Sequence, residues 1–299
     1  MDGIFNVLKP PGMTSHDVIG FLRKALQTKK IGHGGTLDPD AAGVLPVFAG
    51  SATRLLSYAV EGRKQYIAEF TLGEQRDTGD DSGSIVKTMP VPEISETKLQ
   101  ETLNSFLGKQ MQLPPMYSAI KINGQKLYEL ARRGIEVERE LRPIEIYKLE
   151  LLDAQLPKEN MPATAKYSFT VAVECSKGTY IRVLGEDIAA ALGTCGTMTF
   201  LLRTQVGSYR LNDAHSLQEI ADNPQACCAE PITAVEHLPK LHLSANQAAR
   251  ITNGVKTTVN GTADGQYALL GPADEFLGIG KCSDSKIQAE KIFERYIIS

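Results

Sequence analysis

The stretch Tyr167-Ser168-Phe169-Thr170-Val171-Ala172-Val173-Glu174-Cys175 alternates bulky apolar residues with small or polar ones without a break. Only a strand with one buried face repeats every second residue, so this segment must lie in a sheet with two unlike faces. Tyr66, Ala68, Phe70 and Leu72 carry the same period and end at Gly73. Residues 4–8 read as a third strand, stopped by Pro10, Pro11 and Gly12. Helical signals fall between these runs. Thr14 and Asp17 have capping-box spacing, followed by Val18, Leu22, Ala25 and Leu26 on one face. Leu99, Leu103 and Phe106 mark a helix ending at Gly108, and another covers roughly residues 180–192 with Gly193 as its cap. Strands and helices interleave without a regular βαβ rhythm. The fold class expected is therefore α+β, a mixed, largely antiparallel sheet flanked by helices.

Two stretches read as irregular, a slim loop over 32–43 and an acidic, turn-rich solvated loop over 74–93, while the segment over 113–143 opens on Pro114-Pro115 and carries mixed charge. The apolar run 44–49 follows the first of them. After about residue 235 the pattern changes. Ser244 and Gln247 form a capping box closed by Gly254, and short strand signals follow at 255–259, 267–270, 276–280 and 292–298. Two domains are expected, a main body over 1–235 and a small β-rich one over 236–299.

Of 299 residues, 42% are hydrophobic and 22% charged, which excludes a disordered chain and allows a sizeable core. The net charge of -3 excludes a globally basic coat for nucleic acid. The charge is uneven, however. Residues 1–33 hold five basic groups against two acidic, and residues 113–148 hold seven against five. Such stripes fit a solvated helix face or contacts to phosphates. Five cysteines without a C-x-x-C indicate neither a disulfide framework nor a zinc site. The first residues lack the charged-then-apolar pattern of a signal peptide, and no window has the length of a membrane span. A cytoplasmic protein without membrane contact is expected.

The segment Gly32-His33-Gly34-Gly35-Thr36-Leu37-Asp38-Pro39-Asp40-Ala41-Ala42-Gly43-Val44-Leu45-Pro46 carries the chemistry. Its small residues let a ligand or another backbone approach closely. Pro39 biases Asp38 away from helical dihedrals. A carboxylate held in such a loop can act as nucleophile or base, although Asp-Pro-Asp by itself equally fits turn chemistry. An aspartyl-phosphate phosphatase would need an apolar strand before the first aspartate, and His-Gly-Gly-Thr-Leu is not one.

That segment, together with Lys9-Pro10-Pro11-Gly12-Met13-Thr14-Ser15, Arg63-Lys64-Gln65-Tyr66, Pro114 through Lys121, Cys175 through Arg182, and Leu202-Arg203, resembles the TruB-type tRNA pseudouridine synthases in order and spacing over most of residues 4–210. The resemblance implies conversion of uridine 55 in the tRNA T-loop to pseudouridine, with no cofactor and no metal. Asp38 is implied as the catalytic aspartate, Tyr66 as the residue that stacks on a flipped-out uridine, and Arg182 as the partner of the nucleophile. The chemistry of Arg182 agrees. A cation at a helix start opposes the helix dipole, so an anionic partner is the better explanation of its place. The resemblance also implies substrate-binding roles for His33, Leu202, Lys9 and Tyr180, Leu202 as an apolar pocket floor and Lys9 as loop support or phosphate contact. Residues 113–143 resemble an RNA clamp, with Tyr117, Lys121, Arg132 and Arg133 placed to meet the T-stem-loop. Gly34 and Ala42 stand where the family often has threonine, which removes two hydroxyls from the loop. Residues 236–299 occupy the place of a PUA-like RNA-binding domain. The partner implied is tRNA, and a monomer is expected.

Two attack routes for the aspartate, at C6 of the base or C1′ of the ribose, stay open on sequence. A tRNA-binding folding chaperone without catalysis is the alternative class, but a pure binder has no need of the Asp38, Tyr66 and Arg182 set. A glycoside hydrolase would need two carboxylates flanking the bond, and the matching segments offer one.

Overall fold

The computed structural model describes residues 1–59, 62–122, 124–157 and 166–293. The chain opens with β1 (Gly3–Lys9) and α1 (Ser15–Ala25), whose Thr14–Asp17 capping box forms as the spacing predicts. Next come β2 (Ile31–His33), β3 (Ala42–Ala49), α2 (Leu56–Ala59), β4 (Lys64–Leu72) and the hairpin of β5 (Glu74–Arg76) with β6 (Ile85–Thr88). Then follow α3 (Glu96–Ser105) and β7 (Gly108–Gln112). A small hairpin of β8 (Lys121–Ile122) and β9 (Gln125–Lys126) leads into α4 (Leu127–Ala131). The long strands β10 (Arg142–Gln155) and β11 (Tyr167–Cys175) precede α5 (Ile181–Ala191) and β12 (Gly196–Val206). The body closes with β13 (Tyr209–Arg210), α6 (Leu217–Asp222) and β14 (Cys228–Ala229).

These strands form one sheet in the order β14-β1-β3-β12-β4-β11-β10-β7, with β2 on β3 and β13 on β12. Its pairings are antiparallel except one. β3 and β12 run parallel and meet only at Ala42 with Leu202 and Gly43 with Arg203. A Cβ on Gly43, whose φ is +110°, would collide with the Arg203 backbone, so this contact needs glycine. Beyond those two pairs the strands part, and the sheet opens a cleft at its centre.

One face of the sheet buries Phe5, Val7, Leu45, Val47, Ala68, Phe70 and Val171 beneath α1, α3 and α5. The period-two residues of β4 and β11 supply much of it, and Phe70 meets Phe169 at 5.3 Å between ring centroids. The other face buries Ile4, Val44, Phe48 and Val206. It packs on short 3-10 turns at Gly50–Leu55 and Pro231–Val235 and on Ala268 and Ile279 of a second sheet.

That second sheet contains β15 (Lys240–His242), β16 (Thr257–Thr258), β17 (Gly265–Leu270), β18 (Phe276–Ser283) and β19 (Lys286–Ile292), in the order β15-β17-β18-β19-β16, with α7 (Ala245–Thr252) beside it. Arg54 Nη1 donates to the Ile292 carbonyl at 2.9 Å and ties the two sheets together.

Three local expectations change. Residues 31–33 pair with β3 and residues 42–43 begin β3, so the irregular loop shrinks to 34–41. The acidic stretch 74–93 contains a hairpin. Its β-branched Ile85 and Val86 stay 49% and 61% exposed, and a strand solvated on both faces has no apolar alternation to read. The last strand in the described residues is β19. Of the strand expected at 292–298, all but Ile292 and Phe293 lies outside the described residues.

Gly185 of α5 lies against Phe70, where a Cβ would collide with the ring. Gly185→Ala is expected to lower stability by about 1–3 kcal/mol through overpacking. Urea unfolding checks this, and a variant as stable as wild type would contradict the packing.

Candidate active site

The site forms where β3 and β12 part. Lys9 at the end of β1 is fully buried, and its ammonium donates to the carbonyls of Pro10 at 2.8 Å, Pro39 at 2.8 Å and Ala41 at 2.6 Å. Burial lowers its pKa to about 8. All three ammonium hydrogens are engaged by carbonyls inside the protein, two of them in the loop that bears Asp38. Ser15 Oγ accepts from the Leu37 amide at 2.9 Å and lies 3.0 Å from its carbonyl. Arg203 on β12 is buried too. It donates to the carbonyls of Val44 at 2.8 Å, Gly35 at 3.0 Å and Thr36 at 3.3 Å. Loop 34–41 is thus fastened by its carbonyls at both ends.

Asp38 emerges from this clasp with a third of its side chain exposed. Arg182 Nε lies 3.0 Å from its Oδ2 and Nη2 lies 3.4 Å from Oδ1. Burial raises the Asp38 pKa, and the adjacent guanidinium opposes that rise. Arg182 stands second in α5, where the dipole disfavours a cation. It is compensated by Asp38, by Asp80 Oδ2 at 3.8 Å, and by the carbonyls of Thr78 at 2.5 Å and Tyr117 at 2.8 Å. The backbone of Tyr180, just before α5, is held by the Gln112 side chain: its N–H donates to Oε1 at 2.8 Å and its carbonyl accepts from Nε2 at 3.1 Å, which fixes where that helix begins.

Tyr66 lies opposite Arg203 in the sheet register and bonds to it through its hydroxyl. It is 6% exposed, and burial pushes its pKa up to about 12, so the phenol is neutral and its ring forms a wall of the cleft. His33 on β2 is half-buried with Nδ1 unpartnered. Burial and Arg203 lower its pKa, so the imidazole is neutral at neutral pH.

The structure brings Asp38, Tyr66, Arg182 and His33 together around the cleft. Leu202 stands beside Ala42 at the start of β3, next to the loop, but in a different orientation from Tyr66. Tyr66 and Arg203 are register partners and so are Ile67 and Leu202, so the pleat turns Leu202 to the opposite face of the sheet. The leucine on the face of Tyr66 and Arg203 is Leu201, which pairs with Ala68 and is 8% exposed. Of the clamp residues, Tyr117 reaches the site through its carbonyl, whereas Lys121, Arg132 and Arg133 are exposed on the β8–β9 and α4 segment.

Residues 23–181 match the N-terminal domain of the TruB family pseudouridylate synthases. Residues 182–235 match a tRNA pseudouridylate synthase B C-terminal domain, and residues 239–293 match the C-terminal domain of pseudouridine synthase II TruB. The chain belongs to the TruB family. Among its curated relatives, tRNA pseudouridine synthase B of Caldanaerobacter subterraneus subsp. tengcongensis is 42% identical, with 98% of this chain and 99% of that protein covered. The Bacillus subtilis protein of the same name is 44% identical over 85% of this chain and 82% of its own length. Among solved structures, the chain resembles one in an H/ACA RNP bound to a substrate RNA containing 2′-deoxyuridine, with a TM-score of 0.73, 26% identity and coverage of 98% and 85%. A chain of a Cbf5-Nop10-Gar1 complex gives the same TM-score at 27% identity, with the same coverage. Among the described residues, no helix is long and apolar enough to cross a membrane.

Several residues of this TruB-family site escape a reading of the sequence alone. Asp80 lies in the acidic stretch taken for solvated loop, yet its side chain is 15% exposed and faces Arg182. A Thr78-x-Asp80-x-Ser82 turn, with Thr78 and Ser82 hydroxyls on Asp80 Oδ1 at 2.8 and 2.5 Å, was the available signal. Ser15 and Gln112 carry no pattern of their own.

Replacing Arg182 with methionine removes the charge that opposes the rise of the Asp38 pKa. The Asp38 carboxyl, ionised above its pKa and protonated as pH falls through it, is then expected to titrate at higher pH than in wild type. A 13C NMR titration of the Asp38 carboxyl reads this, and an unmoved curve would contradict the pairing.

Proposed function

We propose that this chain isomerises uridine 55 in the T-loop of tRNA to pseudouridine, with Asp38 as nucleophile acting on a flipped-out uridine. The observation that carries the reading is the Asp38–Arg182 ion pair at the bottom of the central cleft, beside the Tyr66 ring. Supporting it, the curated relatives are named for this reaction class on tRNA, and a structural neighbour is described with a substrate RNA bound.

The residues divide the work as follows. Arg182 favours the ionised form of Asp38 against burial, so the carboxylate is available to attack. Attack at C1′ breaks the N1–C1′ bond and leaves the ribose esterified to Asp38. Attack at C6 gives a covalent adduct of the base. By either route the N1–C1′ bond breaks, the base turns, a C5–C1′ bond forms, the bond to Asp38 breaks to free the carboxylate, the proton on C5 leaves and N1 takes up a proton, so nothing is oxidised or reduced. A base inside a folded loop must leave its stack to be reached, which places it against Tyr66. The neutral Tyr66 phenol, its oxygen bonded to Arg203, offers the uracil a flat ring. The segment over 113–141 carries Tyr117, Lys121, Arg132 and Arg133 to the T-stem-loop, where aromatic faces and cations meet bases and phosphates.

Isomerisation must release the hydrogen on C5. T-loop RNA carrying tritium at C5 of the target uridine is expected to release it to water with wild type and to lose release to background with Asp38→Ala. RNA binding without release by wild type would leave the chaperone reading standing. Release undiminished in Asp38→Ala would remove the nucleophile assignment.

A further inference from the structure

Four cations surround the cleft, and three have their partners inside the protein. Lys9 and Arg203 are taken up by loop carbonyls, and Arg182 by Asp38 and Asp80. Lys64 is the fourth. It begins β4 two residues before Tyr66. Among the described residues its ammonium meets no carboxylate, and the like charge of Arg203 acts on it. A Cβ on Gly35 would stand 3.3 Å from Lys64 Nζ and 3.7 Å from Arg203 Nη1. Both cations therefore border one small space, kept open because Gly35 has no side chain and holds a φ of +102°. Lys64 as a whole residue is half-buried.

Two like charges facing one clearing, one of them unpaired, are unfavourable until an anion arrives. The geometry points to Lys64, above Gly35, as the seat of one of the two backbone phosphates that flank the flipped uridine. This rests on the uridine-isomerase reading. A flipped nucleotide carries its two phosphodiesters to the mouth of the pocket, and an RNA chain offers no other strong anion there. The contact is of the positioning kind and sets where the ribose lies relative to Asp38. Burial and the neighbouring Arg203 bring the Lys64 pKa down to about 8, with Cys175 facing it from β11. Lys64 is thus a cation at neutral pH and an unusually reactive amine slightly above it.

The test uses the full chain with T-loop RNA. In Lys64→Met, Kd and KM are expected to rise about tenfold, with a smaller effect on kcat. The slope of log affinity against log salt should fall by about 0.7. Lys64→Arg should restore most of the binding. A single methylphosphonate at one of the two linkages beside the target uridine should weaken binding to wild type and have no further effect in Lys64→Met. Equal weakening of both proteins at both linkages overturns the proposal. An independent arm needs no variant. An amine acylating ester at pH 8 should label Lys64 in free wild type, T-loop RNA should protect it, and inorganic phosphate at the same phosphate concentration should not. Labelling undiminished by RNA overturns the proposal even where Lys64→Met fails to fold, and protection by inorganic phosphate alone reduces the site to a simple anion site. Tritium release by wild type is measured in parallel. Its absence counts against the isomerase reading, and its presence without the linkage effect counts against Lys64 alone.

Discussion

The site depends on two buried cations that hold a backbone by its carbonyl oxygens. Lys9 takes those of Pro39 and Ala41, and Arg203 takes those of Gly35 and Thr36. Ser15 fixes Leu37 between them. A loop half of which is glycine, alanine and proline has few side chains with which to anchor itself. Without these contacts its conformational entropy would scatter Asp38 over many positions. Burying each charge costs several kcal/mol, and charge-assisted hydrogen bonds to several carbonyls offset that cost. The loop is rigid because cations from two distant strands reach into it.

The same arrangement sets the electrostatics of the cleft. Among the described residues, four cationic side chains stand with three carboxylates, Asp38, Asp40 and Asp80, within a chain of net charge -3. A globally acidic protein thereby presents a locally positive cleft. Arg182 is central, because it touches the candidate nucleophile, the acidic hairpin through Thr78 and Asp80, and the 113–141 segment through Tyr117. A displacement of that segment removes one acceptor from the guanidinium and changes how strongly the remaining ones hold it.

The sheet was legible where burial is one-sided. β4 and β11 carry their inward residues at every second position, and α1 and α7 announce themselves by capping boxes. The class of fold follows from those elements. Asp38 and Arg182 were both singled out through the motifs that carry the family resemblance, and for Arg182 an unfavourable place at a helix start argued the same way. Which face Leu202 takes was not legible, because adjacent leucines on a strand point to opposite faces and the register that decides between them is set by β4, far away in sequence. Asp80 and Lys64 were illegible because their importance comes from neighbours that only the tertiary fold supplies. The β5–β6 hairpin hid because exposed strands have no hydrophobic period.

The insertion of β12 between β3 and β4 also has a consequence for the order in which the protein comes into being. The Arg203–Val44 hydrogen bond joins positions 159 residues apart. At synthesis rates of about 5–20 residues per second, the loop bearing Asp38 waits roughly 8–30 s after its own translation for the strand that completes its clasp. Throughout that interval β3 lacks its parallel neighbour, and the glycine-rich loop has only Lys9 and Ser15 to hold it. The nascent chain therefore carries the candidate nucleophile early but gains the contacts that hold its loop in place late. Any factor that shields β3 and β4 from mispairing on the ribosome acts in that window.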